Sequence, residues 1–276
     1  MNKIIEFKNI SKSYDGENDV IDDLSLTIFK GEFVTILGPS GCGKTTLLKM
    51  VNKLIMPDSG SIELEGENIN DLDTIKLRRS IGYVIQQIGL LPHLTIKENI
   101  NYVLSIMKTE PDIKDERAEE LVELVGLSTE YLDRYPRQLS GGQKQRIGVA
   151  RALAADPAII LMDEPFGAVD EIARTLLQDE LMQIQEKLQK TILFVTHDIQ
   201  EAIKLGTKVV LLHNGKIEQI GKKEDLIFSP KTEFVKDFFG LKGFKATLDS
   251  DVMNKVYDRL LSNNESLEDL YKKLDA

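Results

Sequence analysis

Residues 38–45 read Gly38-Pro39-Ser40-Gly41-Cys42-Gly43-Lys44-Thr45, and this loop constrains the fold more than any other stretch of the chain. Its glycines let backbone N–H groups turn inward around an anion of phosphate size. An apolar strand pattern over residues 32–37 leads into it, and a helical pattern from 44 to about 54 leads out. The loop therefore sits between a strand and a helix whose positive end faces the same anion. Lys44 offers a mobile cation to the β- and γ-phosphates of a nucleotide. Thr45 offers a hydroxyl to Mg²⁺, and Thr46 follows in the same first turn. Cys42 reads as a tolerated small residue, since nothing beside it looks like a thiol-exchange partner.

A second feature lies far along the chain. Residues 159–162 are apolar, as in a buried parallel strand, and end in Asp163-Glu164. Ligands in such sheets bind beyond the carboxyl ends of the strands, which places both acids beside the glycine loop. Asp163 would hold Mg²⁺, mostly through water, and Glu164 would orient and polarise an attacking water. A further apolar run over 192–196 ends at His197, at the same sheet edge and within reach of a γ-phosphate. His93 and His213 lack that placement and read as surface or packing residues.

A third feature is Leu139-Ser140-Gly141-Gly142-Gln143, ahead of a helix to about Ala155. Ser140 suits an N-cap and Gln143 completes a capping pattern. Two glycines at a helix start cost stability, but they leave bare backbone that an anion can approach closely. Two phosphate-type helix starts in one chain need not serve one nucleotide from the same copy. A head-to-tail pair would hold each nucleotide between the loop of one copy and Ser140, Gly141 and Gly142 of the other.

The remaining pattern is mixed α/β. Apolar alternation marks strands near residues 5–10 and 24–29, with a turn at Tyr14-Asp15-Gly16, and further strands at 62–64 and 81–85. From 95 to about 155 the periodicity is helical throughout, opening on a Thr95/Glu98 capping box. A long helix is expected over 171–189, and Asn214-Gly215 between apolar runs signals a hairpin. A helix over about 232–239 ends at Gly240, and 241–276 reads as a short helical tail of mixed charge. The net charge of −10 argues against a global grip on nucleic acid, and the single cysteine excludes a disulfide framework. No stretch approaches the roughly 18 apolar residues that a membrane-crossing helix needs.

Taken together, Gly38–Thr45, Leu139–Gln143 and the strand ending at Asp163 make the chain resemble the ATP-binding cassette transporter ATPases over roughly residues 3–240. The resemblance implies an α/β P-loop NTPase fold: a RecA-like core with an antiparallel β subdomain and a helical subdomain inserted at about 90–155. The cassette would span 1–240 and the tail 241–276. It implies Glu164 as catalytic glutamate, His197 as switch histidine, Gln86 as the glutamine that touches Mg²⁺ and signals onward, Asp170 as the D-loop aspartate and Tyr14 as the adenine-stacking aromatic. Gln86 rather than Gln87 is assigned from the register of Leu91-Pro92-His93. It further implies Mg²⁺ and ATP, a homodimer sandwiching ATP, integral membrane permease subunits, an indirect link to a substrate-binding protein, and a place at the cytoplasmic face of the membrane. Residues 50–55, 81–90 and 165–170 resemble more narrowly the ATPases of osmoprotectant importers for glycine betaine, carnitine or choline. Other importers, exporters and soluble cassette ATPases are the alternatives. Against a DNA-repair cassette stands the absence of sustained heptads between Thr45 and Ile159.

Overall fold

The computed structural model describes residues 2–86, 89–167, 169–247 and 258. The chain opens with β1 (Lys3–Ser13), β2 (Asp19–Phe29) and β3 (Phe33–Leu37), then α1 (Lys44–Val51). Next come β4 (Ser59–Leu64), β5 (Glu67–Asn68), α2 (Thr74–Ser80) and β6 (Ile81–Val84). Four helices follow: α3 (Ile96–Ile100), α4 (Tyr102–Ile106), α5 (Pro111–Leu124) and α6 (Gly141–Leu153). The chain then returns through β7 (Ile159–Asp163), α7 (Glu171–Leu188), β8 (Thr191–Val195) and α8 (Ile199–Leu205). The hairpin β9 (Lys208–His213) and β10 (Lys216–Gly221) precedes α9 (Lys223–Phe228) and α10 (Glu233–Thr247).

The strands form two sheets. β2-β1-β4-β5 is antiparallel, and β10-β9-β3-β8-β7-β6 is parallel except for the β10 edge. Every residue of β3, β7 and β8 is buried, which explains their unbroken apolar runs. The polar exceptions are satisfied: Thr35 Oγ1 donates to Ala202 O, Thr191 Oγ1 accepts from Gly31 N, and Asp163 Oδ1 accepts from Thr45 Oγ1. One apolar core fills the space between the two sheets around α1, including Leu47, Ile62 and Leu161. A second lies on the other face, where α5, α6 and α7 meet the parallel sheet. Phe194 is fully buried in that second core, its ring 5.8 Å from Phe33 and 5.7 Å from Phe166. We expect Phe194→Ala to lose roughly 3–5 kcal/mol of stability, read as a lowered urea midpoint. A loss below about 1 kcal/mol would mean that this core is not packed as described.

One expectation changes in detail. The region expected to be helical throughout is broken into α3–α6 with 3₁₀ turns at Thr129–Tyr131 and Pro136–Gln138. Pro111 starts α5, Gly126 takes a left-handed φ of 69° just past its end, and Pro136 starts the second 3₁₀ turn, so the backbone is interrupted at each. At Gly240, a φ of 42° and ψ of −144° break α10 where the sequence places a helix end, and helical backbone resumes beyond it to Thr247. The tail is described only to Thr247 and at Asp258; the rest of that reading falls outside the described residues.

Candidate functional site

The parallel sheet aligns the ends of three strands. Ile36 pairs with Val195 and Asp163 also pairs with Val195, so the segments leaving β3, β7 and β8 emerge at one edge. That register brings Gly38, Glu164 and His197 together from distant parts of the chain.

The loop after β3 wraps the start of α1. Gly43 is the N-cap, left-handed at φ 99°, and among the described residues no side chain caps this end. A Cβ on Gly43 would fall 2.6 Å from Val20 O, so only glycine fits both the turn and the close approach. The uncapped N–H groups of α1 are left for an anion. Lys44 is 6% exposed, and its Nζ donates to Gly38 O and Pro39 O, both at 2.8 Å. The loop thus folds round a buried ammonium that has no carboxylate partner among the described residues. Cys42 is buried, and burial pushes its thiol up, in keeping with an unreactive packing residue.

Thr45 Oγ1 donates to Asp163 Oδ1 at 2.8 Å. Burial pushes the Asp163 carboxyl up, while the Thr45 hydroxyl and the Lys49 and Lys44 charges pull the other way. A carboxylate held in that balance gains from a cation. The donors, one hydroxyl and one carboxylate, are hard oxygens of the kind Mg²⁺ prefers, and the described residues hold no cluster of three acidic, histidine or cysteine side chains for another metal. The residues present fit a Mg²⁺ that keeps water and substrate oxygens in most positions.

Glu164 follows with φ 43°, its N–H bonded to Val195 O at 2.9 Å. Its side chain is held from two sides. Gln86 Nε2 donates to Oε2 at 3.1 Å, and His197 Nδ1 lies 3.2 Å from Oε1. A cavity of about 420 Å³ joins Glu164 to Ser40, Gly41, Lys44 and Thr45 and opens at Tyr14. Tyr14 is 61% exposed, and its hydroxyl lies 3.1 Å from Thr46 Oγ1, so its ring stands at the mouth of the cavity. Val20 also lines the cavity, a residue whose type carries no motif signal.

Ser140, Gly141, Gly142, Gln143 and Asp170 do not line that cavity. Ser140 caps α6 through a full capping box with Gln143, as its spacing implies, and Ser140 and Gly141 are exposed. A Cβ on Gly142 would meet only Ala173 Cβ, at an ordinary 3.7 Å, so the fold of the single chain does not require glycine there. Asp170 is exposed and caps α7 by accepting from Ala173 N at 3.0 Å. His213 stacks on Phe234 at 3.7 Å and His93 is exposed; neither joins the site.

With this geometry in view, the comparisons are specific. The ABC transporter family profile matches residues 21–167. The chain is 54% identical over 237 residues to the choline transport ATP-binding protein OpuBA of Bacillus subtilis (strain 168), covering 86% of this chain and 62% of that protein. It is 53% identical to the glycine betaine/carnitine/choline transport ATP-binding protein OpuCA of the same organism, again over 86% of this chain and 62% of the relative. The chain thus spans about three fifths of the length of these relatives. Among solved structures, the dimeric ATP-binding cassette MJ0796 in a post-hydrolysis state with ADP and Pi is similar at a TM-score of 0.71 and 37% identity, covering 79% of this chain and 98% of that one. With more than half of its length matched by the family profile, and the loop, acidic strand end and histidine meeting at one sheet edge, the chain belongs to the ABC transporter family.

Proposed function

We propose that this chain is the ATP-hydrolysing subunit of an importer for osmoprotectant quaternary amines such as glycine betaine, carnitine or choline. The observation that carries the hydrolytic reading is the placement of Glu164 between Gln86 and His197, in one cavity with Lys44 and Thr45. The quaternary-amine cargo rests on likeness to the choline and glycine betaine/carnitine/choline transport ATP-binding proteins.

The steps follow from what each group can do. The adenine of ATP stacks on the Tyr14 ring, and its phosphates enter the loop. Backbone N–H groups of residues 40–45 and the α1 terminus meet the phosphate oxygens, and Lys44 exchanges a loop carbonyl for the β- and γ-oxygens. Thr45, with Asp163 and Gln86 acting through water, would hold Mg²⁺, which would supply neutralising charge to the β- and γ-phosphates. Glu164 accepts a hydrogen bond from the attacking water and draws off its proton. His197 orients the Glu164 carboxylate and reaches toward the γ-phosphate. The water oxygen bonds to the γ-phosphorus as its bond to the β,γ-bridging oxygen breaks, the electron pair staying on ADP, and inorganic phosphate and ADP are the products.

The exposed start of α6, at Ser140 and Gly141, does not line this site. A head-to-tail pair of chains resolves this separation. Ser140, Gly141 and Gly142 of one copy close over ATP held by the other, and Asp170 lies at the same junction. The pair opens after hydrolysis. Movement passes through Gln86 and the α3–α6 insertion to separate membrane permease subunits, which receive cargo from a substrate-binding protein. Residues 1–240 act as the cassette, and about 90–155 as its inserted helical part. Among the described residues no helix is long and apolar enough to cross a membrane, which suits docking at the cytoplasmic face through those partners.

The test is uptake of labelled glycine betaine, carnitine and choline, in cells whose other transporters for these compounds are deleted. With intact protein, uptake of at least one is expected, falling to the background of cells lacking the protein when Lys44→Ala replaces it. Equal uptake of all three in the two strains would remove the osmoprotectant reading and leave another cargo, or export, in its place.

A further inference from the structure

A second, smaller cavity of about 60 Å³ is lined by Glu164, His197, Arg174, Asp198 and Glu201. Arg174 stands in the first turn of α7, four residues after Asp170, and its backbone N–H bonds Asp170 O at 2.8 Å. One guanidinium nitrogen donates to Val169 O at 2.9 Å. The same residue therefore grips the 169–170 segment twice, once through its backbone and once through its tip.

The other side of the guanidinium faces the segment that carries His197. One terminal nitrogen is 3.8 Å from Asp198 Oδ2, and Nε is 3.8 Å from Glu201 Oε1. Those carboxylates hold the backbone and side chains that flank His197. Asp198 Oδ1 accepts from Gln200 N at 2.7 Å and caps α8, and Thr196 Oγ1 donates to Glu201 Oε2 at 2.6 Å while accepting from Asp198 N at 3.0 Å. Residues 196 and 198 are thus pinned on either side of the histidine. Glu201 is buried, and burial pushes its carboxyl up, so the nearby cation matters to it.

The engagement is incomplete. Nε of Arg174 is buried and has no hydrogen-bond partner among the described residues, and both carboxylate contacts exceed hydrogen-bond length. A buried donor without a partner is costly, and a shift of about 1 Å would turn a 3.8 Å approach into a charge-assisted hydrogen bond. The element positioned to supply that shift is the one Arg174 holds, the segment ending in exposed Asp170.

We infer that Arg174 is a positioning residue linking the 169–170 segment to His197, so that contact from a second copy at Asp170 tightens Arg174 onto Glu201 and sets His197 for hydrolysis. This rests on the head-to-tail reading of the site. It assigns Arg174 no contact with ATP and no step in bond breaking.

The experiment uses the full chain, with ATP binding and steady-state ATPase measured over a range of ATP concentrations for the wild type, Arg174→Met, Arg174→Lys and Glu201→Gln. Arg174→Met is expected to bind ATP within about twofold of wild type, lose about 10- to 100-fold in kcat, and lose the cooperative dependence on ATP. Arg174→Lys keeps the charge and is expected to recover part of kcat. Glu201→Gln should resemble Arg174→Met. Urea midpoints measured alongside identify a variant that is merely unfolded, and the coupling is then read from Arg174→Lys and Glu201→Gln, which change the fewest atoms. An unchanged kcat in well-folded Arg174→Met overturns the inference. So does a fall in ATP affinity that matches the fall in kcat. A wild-type chain without ATPase activity would overturn the proposed function itself, which separates the two failures.

Discussion

Glu164→Gln is expected to lower ATP turnover by about 10²- to 10⁴-fold while ATP binding persists. The substitution keeps the size of the side chain and leaves an amide oxygen that can still accept from Gln86 Nε2, which stands 3.1 Å from Glu164 Oε2. What it removes is the group able to draw a proton from water. The loop round Lys44 and the Thr45–Asp163 pair are untouched, since neither hydrogen-bonds to Glu164. ATP should therefore enter and remain, and the head-to-tail pair should stay closed. Size-exclusion chromatography with Mg·ATP is expected to show a dimer for Glu164→Gln, and mostly monomer for the wild type once it has hydrolysed its ATP. Near-normal turnover in the purified variant would take the water-activating role away from Glu164. Loss of turnover with loss of ATP binding would instead make Glu164 part of the binding surface.

Motifs that must be contiguous for chemical reasons are legible directly. A phosphate cradle needs consecutive backbone N–H groups, so residues 38–45 declare both a loop and a helix start. Asp163 and Glu164 stand out because two adjacent acids closing a buried apolar strand repel each other and lose hydration, a cost that a bound cation offsets. Asn214-Gly215 also behaves as its type demands, with φ values of 48° and 76°. What stays hidden depends on contacts between distant segments or on elements too short to show a period. Helices α2, α8 and α9 have seven, seven and six residues. Two turns cannot display a 3.6-residue stripe, although Asp73 and Asp198 cap the first two through bonds that their residue type allows. Arg174, Thr196 and Glu201 are illegible for a related reason. Each looks like an ordinary helix-surface or strand-end residue until α7 and α8 are laid side by side. Gln86 requires a register argument, and its bond to Glu164 supports that choice; Gln87 falls outside the described residues.

Lys44→Ala should fail at an earlier point than Glu164→Gln, at binding. Removing a desolvated cation from an anion site costs about 2–4 kcal/mol, or roughly 30- to 1000-fold in Kd for ATP. The structure shows why this loss should not be compensated by the neighbours. Lys44 Nζ is buried against Gly38 O and Pro39 O, and the other lysine acting on this site, Lys49, is felt at Asp163 rather than in the loop. Deleting the ammonium also strips two loop carbonyls of their donor, at roughly 1–3 kcal/mol for each one left dry. The empty loop should then lose some of its shape, so part of the lost affinity comes from reordering it. Isothermal titration with ATP separates the two variants: weak or absent binding for Lys44→Ala, and near wild-type binding for Glu164→Gln. Because the proposed pair closes on bound ATP, Lys44→Ala is expected to remain monomeric in chromatography with Mg·ATP. A Kd for Lys44→Ala within about threefold of wild type would mean that the backbone N–H groups and the α1 terminus carry the phosphates alone, with Lys44 serving only to hold the loop together.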